Sequence, residues 1–247
     1  MISLFRKIRL KLLNQHRVSQ YLAYAVGEIF LVVIGILIAL QINTWNELQK
    51  TRQYELKMLK ELKATLQKDR AYFSSQLPRL AQKQQASNRL LSMIENKEEN
   101  LDTLNTYFAD LRFDILFQYN AGAYGSIKSG GIDKISNDSI RAKMAGIYEF
   151  LIPRSEKIFE NLSNSDPLES NLAEQLTQRI IVPLENGEKA IRGRMVDPKV
   201  IYREEFLHLL QLHKNSTFVT KNRLESLLLP IDELIVLIEQ ELKITTD

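Results

Sequence analysis

The chain contains no cysteine. Disulfides and a thiolate nucleophile are therefore excluded, and about 200 residues beyond the N-terminal region must fold on an apolar core alone, a length that suffices. The absence is compatible with an oxidising compartment. Catalytic signatures are missing as well. Gly122, Gly125, Gly130 and Gly131 cluster within ten residues, but no GKS or GKT follows and no strand pattern precedes, so a phosphate-cradling loop is excluded. There is no GxSxG elbow and no pair of carboxylates placed to tune one pKa against another. His208 and His213 are five apart, which misses the i, i+4 spacing of a helical zinc pair, and Glu204 with His208 makes only half a site. No catalytic residue, cofactor or metal is expected, and no repeat of 20 to 50 residues stands out.

A second membrane-length apolar run is also missing, and the one that exists places the protein. Tyr21 to Ile42 (YLAYAVGEIFLVVIGILIALQI) meets the roughly 20 residues a helix needs to cross a bilayer, with one charge inside it. Arg6, Lys7, Arg9, Lys11 and Arg17 precede it without an acidic neighbour, so the Lys/Arg bias predicts a cytoplasmic N-terminus and a large domain on the far side. Of 33 basic residues these five lie ahead of the span, leaving 28 against 30 acidic ones, so the net charge of +3 reflects topology. The remainder shows no basic stripe with interleaved aromatics, which argues against nucleic acid as a partner. Gln41 to Trp45 offer no small-residue cleavage site, so the segment reads as an uncleaved signal anchor. Tyr21, Tyr24 and Trp45 are the expected interfacial anchors; Tyr24 and Trp45 lie about 31 Å apart along a helix, the separation of two interfacial belts. Ahead of them Met1, Phe5, Ile8 and Leu12 share one face of an amphipathic helix that would lie on the inner leaflet, with membrane lipids as its partner.

Glu28 is the one ionisable residue in the span. Such groups are expensive in lipid and usually face a water path, a bundle interior or a partner charge; one turn inside Tyr24, however, Glu28 can also reach the inner interface. The absence of a second titratable group in the span makes the interfacial reading the stronger one. Ala23, Gly27, Gly35 and Ala39 fall at i, i+4, i+12 and i+16, broken by Leu31, and form a small-residue surface for self-association or for packing on another membrane protein.

The segment Tyr24 to Glu47 (YAVGEIFLVVIGILIALQINTWNE) resembles the signature of a family of uncharacterised single-span membrane proteins from Bacteroidota, in which a GEI, LVVIGILIALQIN and WNE core follows a short basic N-terminus. Gly27, Glu28, Gly35, Gln41, Asn43, Trp45, Asn46 and Glu47 carry the match. A looser likeness runs over Tyr124 to Phe150 (YGSIKSGGIDKISNDSIRAKMAGIYEF). The resemblance implies an inner-membrane protein with a helical periplasmic domain and no known activity.

The residues of the large domain themselves predict helices. No Pro or Gly occurs from Trp45 to Gln76, and Leu59, Leu66, Phe73 and Leu80 recur every seven residues with Leu62 and Leu77 between them; Asp69 and Gln76 interrupt the second row, which favours a bundle over a two-stranded coiled coil. Pro78 is expected to kink or end that helix, with Arg79 to Asn96 as a return element. A third pattern spans Leu101, Leu104, Phe108, Leu111 and Leu116. The glycine cluster predicts a short helix and a turn, Asn137 caps a helix through Ile140, Met144, Ile147 and Tyr148 up to Pro153, and another runs from Pro167 to Val182. Pro183 to Pro198 reads as the longest loop. Two last helices cover Val200 to Leu212 and Lys221 to Lys243, the second striped by Leu224, Leu228, Ile231, Ile235, Ile238 and Leu242 and bent by Pro230.

The sequence thus predicts an all-α protein in which a single N-terminal transmembrane helix continues into a periplasmic multi-helix bundle: a basic amphipathic segment over 1–20, a signal-anchor helix over 21–45 and a helical extracytoplasmic domain over 46–247. Three functions compete: a scaffold or protein-interaction module, a sensory or ligand-binding accessory subunit, and an oligomeric ion or proton conductor using Glu28. The scaffold reading leads, because roughly twenty cytoplasmic residues are too few for a signalling output domain.

Overall fold

The computed structural model describes residues 18–112, 115–163, 166–184 and 186–244. The N-terminal amphipathic segment with Arg6, Lys7, Arg9, Lys11 and Arg17 lies outside the described residues, as does the side chain of Tyr21. The chain divides into two compact units, Met1–Glu55 and Leu56–Asp247. The division falls inside helix α1, Val18–Glu95.

In the first unit α1 is one apolar helix whose side chains from Leu22 to Leu48 are almost all exposed, including Phe30, Leu31, Leu37 and Trp45. It is the one helix among the described residues long and apolar enough to cross a membrane. Val, Ile and Leu at consecutive positions leave it no polar face, which is the pattern of a helix surrounded by hydrocarbon rather than of one lying on a core.

The second unit is helical with one hairpin. After α1 come α2 (Leu101–Leu111), α3 (Gly122–Gly130), α4 (Asp138–Ala145), a π-helical turn (Gly146–Leu151), α5 (Ile152–Ser163) and α6 (Asp166–Leu176). The hairpin strands are β1 (Gln178–Pro183) and β2 (Lys189–Arg194), and the last helix, α7, runs over Glu204–Ile244. α7 is antiparallel to α1, since Lys63 pairs with Glu239 at 2.9 Å and Arg70 with Asp232. Leu59, Leu62, Leu66, Phe73 and Leu80 of α1 are buried, as the seven-residue spacing predicts, together with Leu224, Leu227, Ile231, Leu234, Ile235 and Ile238 of α7. A second apolar cluster joins Ala86, Leu90 and Met93 of α1 to Leu104 and Phe108 of α2, Leu172 and Leu176 of α6, and Phe206, Leu209 and Leu210 of α7. Along both long helices the buried positions between these two sets are polar: Lys83 on α1, with Ser87 beside Ala86, and His213, Thr217 and Thr220 on α7.

Several sequence expectations are corrected. Pro78 neither ends α1 nor creates a separate return element over Arg79 to Asn96: the helix continues to Glu95. The hydrogen bond that Pro78 forfeits costs about 3 kcal/mol, whereas Phe73 and Leu80 on either side are both fully buried, and side chains of that kind contribute about 1.5–3 kcal/mol each. The two C-terminal helices are one, because the polar stretch that looked like a break is satisfied internally: Thr217 Oγ1 and Ser216 Oγ both donate to the His213 carbonyl, at 2.6 and 3.1 Å. α2 ends at Leu111, and Leu116 is exposed. The helix expected over Pro167 to Val182 stops at Leu176, and the loop expected from Pro183 is largely a hairpin. Ile180, Ile181 and Val182 are β-branched, and Asn186-Gly187 forms the turn, with Gly187 at φ 84° and Leu184 N–H donating to the Glu188 carbonyl at 2.7 Å. Other local signals hold: the Asn137 side chain caps α4 by accepting from Ser139 and Ile140 N–H, and Gly131 follows α3 at φ 105°, where a Cβ would be strained.

Phe73 is the most demanding core position, fully buried with its ring parallel to that of Phe117 at 5.6 Å. Phe73→Ala is expected to lower unfolding stability by about 3–5 kcal/mol, whereas Leu229→Ala, at an exposed site on α7, should change it by less than about 0.5 kcal/mol. Thermal or denaturant unfolding of the solubilised chain checks the contrast.

Candidate functional site

Two places combine unusual chemistry with a defined position. The first is the apolar part of α1. Ala23, Gly27, Gly35 and Ala39 lie on this helix, and a Cβ built on Gly27 or Gly35 meets nothing within 4 Å. At 3.6 residues per turn the four small residues wind through about 160° of the helix circumference, whereas Glu28, Gly35 and Ala39 fall within about 40° of one another. Tyr24, Leu31 and Ile42 border that same stripe at three- and four-residue steps, a spacing that lets a second helix lie alongside. The side chain of Glu28 is half-buried, as is that of Tyr24, and Trp45 is exposed.

The second place is a buried carboxylate in the helical domain. Asp69 lies on α1 between Leu62, Leu66 and Phe73, at a position its neighbours would fill with leucine. It is 9% exposed, and its two carboxylate oxygens share the N–H of Asn120, each at 3.2 Å. Burial pushes the Asp69 pKa above the usual carboxylate range, and the Asn120 hydrogen bond only partly offsets this. Asn120 belongs to the segment entering α3, so Asp69 pins that segment to α1.

Two tyrosines, Tyr119 and Tyr148, feel the charge of Asp69, and a third, Tyr124, packs on Tyr148. Tyr148 is 8% exposed, and its hydroxyl is buried without a hydrogen-bond partner among the described residues. Burial, reinforced by the charge of Asp69 and by Tyr119, raises its pKa far above that of a free phenol. The Tyr148 ring stacks on Tyr124 with centroids 4.6 Å apart. Tyr124 Oη donates to Glu149 Oε1 at 2.7 Å, and burial followed by that hydrogen bond pushes its pKa up to about 12. Lys128 Nζ donates to the same oxygen at 2.7 Å and holds Glu149 below the ordinary glutamate value, with Tyr124 assisting. Tyr119 is raised mainly by burial, then by Glu156. Phe117 completes the surround, parallel to Phe159 at 4.7 Å as well as to Phe73.

The position of Tyr148 follows from the backbone. Pro153 has no N–H to continue an α-helix, and just ahead of it the chain widens: Ile152 N–H bonds the Ile147 carbonyl five residues back instead of four. Tyr148 sits in this π-turn, a feature often found where a helix carries a functional side chain. The turn is secured at its end by Arg223 of α7, which donates to the Leu151 carbonyl at 2.9 Å and to Ser155 Oγ at 2.8 Å.

The profile of a family of unknown function, DUF6090, matches residues 28–165. The chain belongs to the DUF6090 family. The matched stretch contains Glu28, Gly35 and Ala39 of the apolar helix and every residue of the Asp69 cluster. No curated protein and no solved structure matches the chain.

Chemically, the DUF6090 cluster is suited to holding a proton and positioning a segment. Asp69 and the three phenols are shifted toward their neutral forms, the opposite of what an activated nucleophile requires, while Glu149 is held charged by Lys128. His208 is exposed and His213 buried 3.5 Å from Glu169, so the two histidines share no site. Among the described residues no group of three or more metal-ligating side chains is assembled. Sequence reasoning missed the cluster, although the signal was present: a carboxylate in a core row of an otherwise apolar helix face marks a buried polar group that needs a partner.

Because the Asp69 pKa is raised on folding, its protonated form favours the folded state. That contribution is complete below the ordinary carboxylate range and is lost as pH rises through the raised value. Asp69→Asn keeps an oxygen for the Asn120 N–H while removing the charge, so it is expected to raise the melting temperature at pH 7 and to converge with wild type near pH 4. A neutral-pH melting temperature below wild type would show that the ionised carboxylate stabilises the fold.

Proposed function

We propose that the chain is a scaffold or protein-interaction module anchored in the bacterial inner membrane by a single pass, with its N-terminus in the cytoplasm and its helical domain in the periplasm. The observation that carries the proposal is the contrast in apolar surface along α1. From Leu22 to Leu48 large apolar side chains are exposed, whereas Leu59, Leu62, Leu66 and Phe73 are buried in a domain core. The first stretch requires lipid or a partner helix, and the second is already satisfied.

Self-association, or packing on another membrane protein, uses the stripe of Glu28, Gly35 and Ala39, where small residues permit close approach of a second backbone. The single-span proteins of Bacteroidota that share the GEI to WNE core are the natural setting for this reading.

The absence of cysteine makes the topology directly measurable. In Lys157→Cys the new thiol lies on an exposed part of α5, and it is expected to react with a membrane-impermeant maleimide in intact spheroplasts. Reaction only after lysis would contradict the periplasmic placement. For the span, Gly35→Leu is expected to reduce the mass of the solubilised particle or release a copurifying membrane protein. An unchanged mass and partner set would remove the stripe from the interaction.

A further inference from the structure

The β1–β2 hairpin lies outside the residues matched by the family profile, and its surface is not explained by the fold. Its strands pair only with each other, from Gln178 opposite Arg194 to Pro183 opposite Lys189. Ile181 and Ile191 are directly opposite one another and stand 67% and 72% exposed. On the other face Arg192 and Arg194, two residues apart, point the same way with about 7 Å between them. Neither makes an ion pair with a described carboxylate, and both line a cleft of about 480 Å³ with Val182, Pro183, Leu184 and Asn186. Like charges held side by side on one strand repel, and an anion between them relieves that repulsion.

The two edges of the hairpin are not equivalent. β1 ends in Pro183, which has no N–H to offer a further strand. β2 contains no proline, and outside its pairing with β1 no described group hydrogen-bonds residues 189–194. We propose that β2 is a docking edge for an extended acidic segment of a partner protein, in which carboxylates at alternate positions meet Arg192 and Arg194 and the apolar residue next to the carboxylate at Arg192, on the side away from Arg194, meets Ile191. Strand addition supplies backbone hydrogen bonds, and the alternation of the added strand matches acid to arginine on one face and apolar to isoleucine on the other. Charge complementarity selects the sequence: Arg192 and Arg194 on one face, with Lys189 beside Ile191 on the other, leave an approaching segment no cation it can accept. This inference rests on the interaction-module reading and names its partner's chemistry.

The test uses the full chain in nanodiscs and a fluorescein-labelled peptide, Gly-Glu-Val-Glu-Val-Glu-Gly, followed by anisotropy. Binding is expected to weaken at least tenfold when glutamine replaces the glutamates. It should weaken comparably when proline replaces both valines at unchanged charge, and again in the chain carrying R192Q and R194Q. Both arginines are exposed, so the variant should keep the wild-type melting curve. Equal binding of the proline peptide would overturn strand addition in favour of charge attraction alone. Undiminished binding to the double variant would overturn the site, as would failure of the glutamate peptide to bind at all, and hairpin-to-hairpin dimers lost on Ile191→Lys would identify a second copy as the occupant instead. A membrane partner that copurifies equally with wild type and double variant would leave the interaction-module reading standing while removing this edge from it.

Discussion

Lys63 and Arg70 of α1 reach Glu239 and Asp232 of α7, and the apolar rows between them close into the core on which the rest of the helical domain is arranged. The ion pairs are partly exposed, and pairs of that kind contribute about 0–1 kcal/mol each. The buried leucine, isoleucine and phenylalanine side chains contribute about 1.5–3 kcal/mol apiece. Burial therefore supplies the stability, and the charges fix the register at which the two helices meet. A shift of one helical turn would take Asp232 away from Arg70 and Glu239 away from Lys63.

Polar groups then decide how the smaller elements attach. Asp69 holds the segment at Asn120, and Arg223 holds the end of the π-turn that presents Tyr148. Both attachments place a polar side chain of a long helix on a backbone group of a separate segment, the Asn120 N–H and the Leu151 carbonyl. Lys143 reaches Glu233 and Asn137 reaches Glu241, tying α4 to α7 in the same manner. The hairpin is different. Asn105 holds the chain just beyond it by exchanging two hydrogen bonds with the backbone of Met195 and Arg179 at its base pairs with Glu174, but Ile181, Ile191, Arg192 and Arg194 project without an ion pair to a described carboxylate or burial in the core.

Much of this was legible in the residues because it is periodic. The apolar span, the heptad spacing from Leu59 to Leu80, the stripe from Leu224 to Ile238 and the Asn137 cap are local patterns that a helix converts directly into faces and ends. What was not legible depends on tertiary neighbours. Pro78 reads as a helix end unless the burial of Phe73 and Leu80 is known, and the polar run at Asn215 to Thr217 reads as a break unless its hydroxyls are seen to bond within the helix. The hairpin was hidden because Arg192 and Arg194 made Pro183 to Pro198 look like a solvated loop, although Asn186-Gly187 after a β-branched run is a strong turn signal. Asp69 was seen as a gap in an apolar row, and its partner, fifty-one residues away in sequence, could not be found from that row alone.

The most direct measurement is amide hydrogen exchange of the full chain in nanodiscs, resolved to short peptides. If the α1–α7 pairing is the constraint on which the domain depends, the slowest exchange outside the apolar N-terminal stretch of α1 falls in residues 59–80 and 224–238 together, with α3 to α5 opening at lower free energy and the hairpin fastest. Slowest exchange in α3 to α5, with residues 224–238 opening independently of 59–80, would contradict the account.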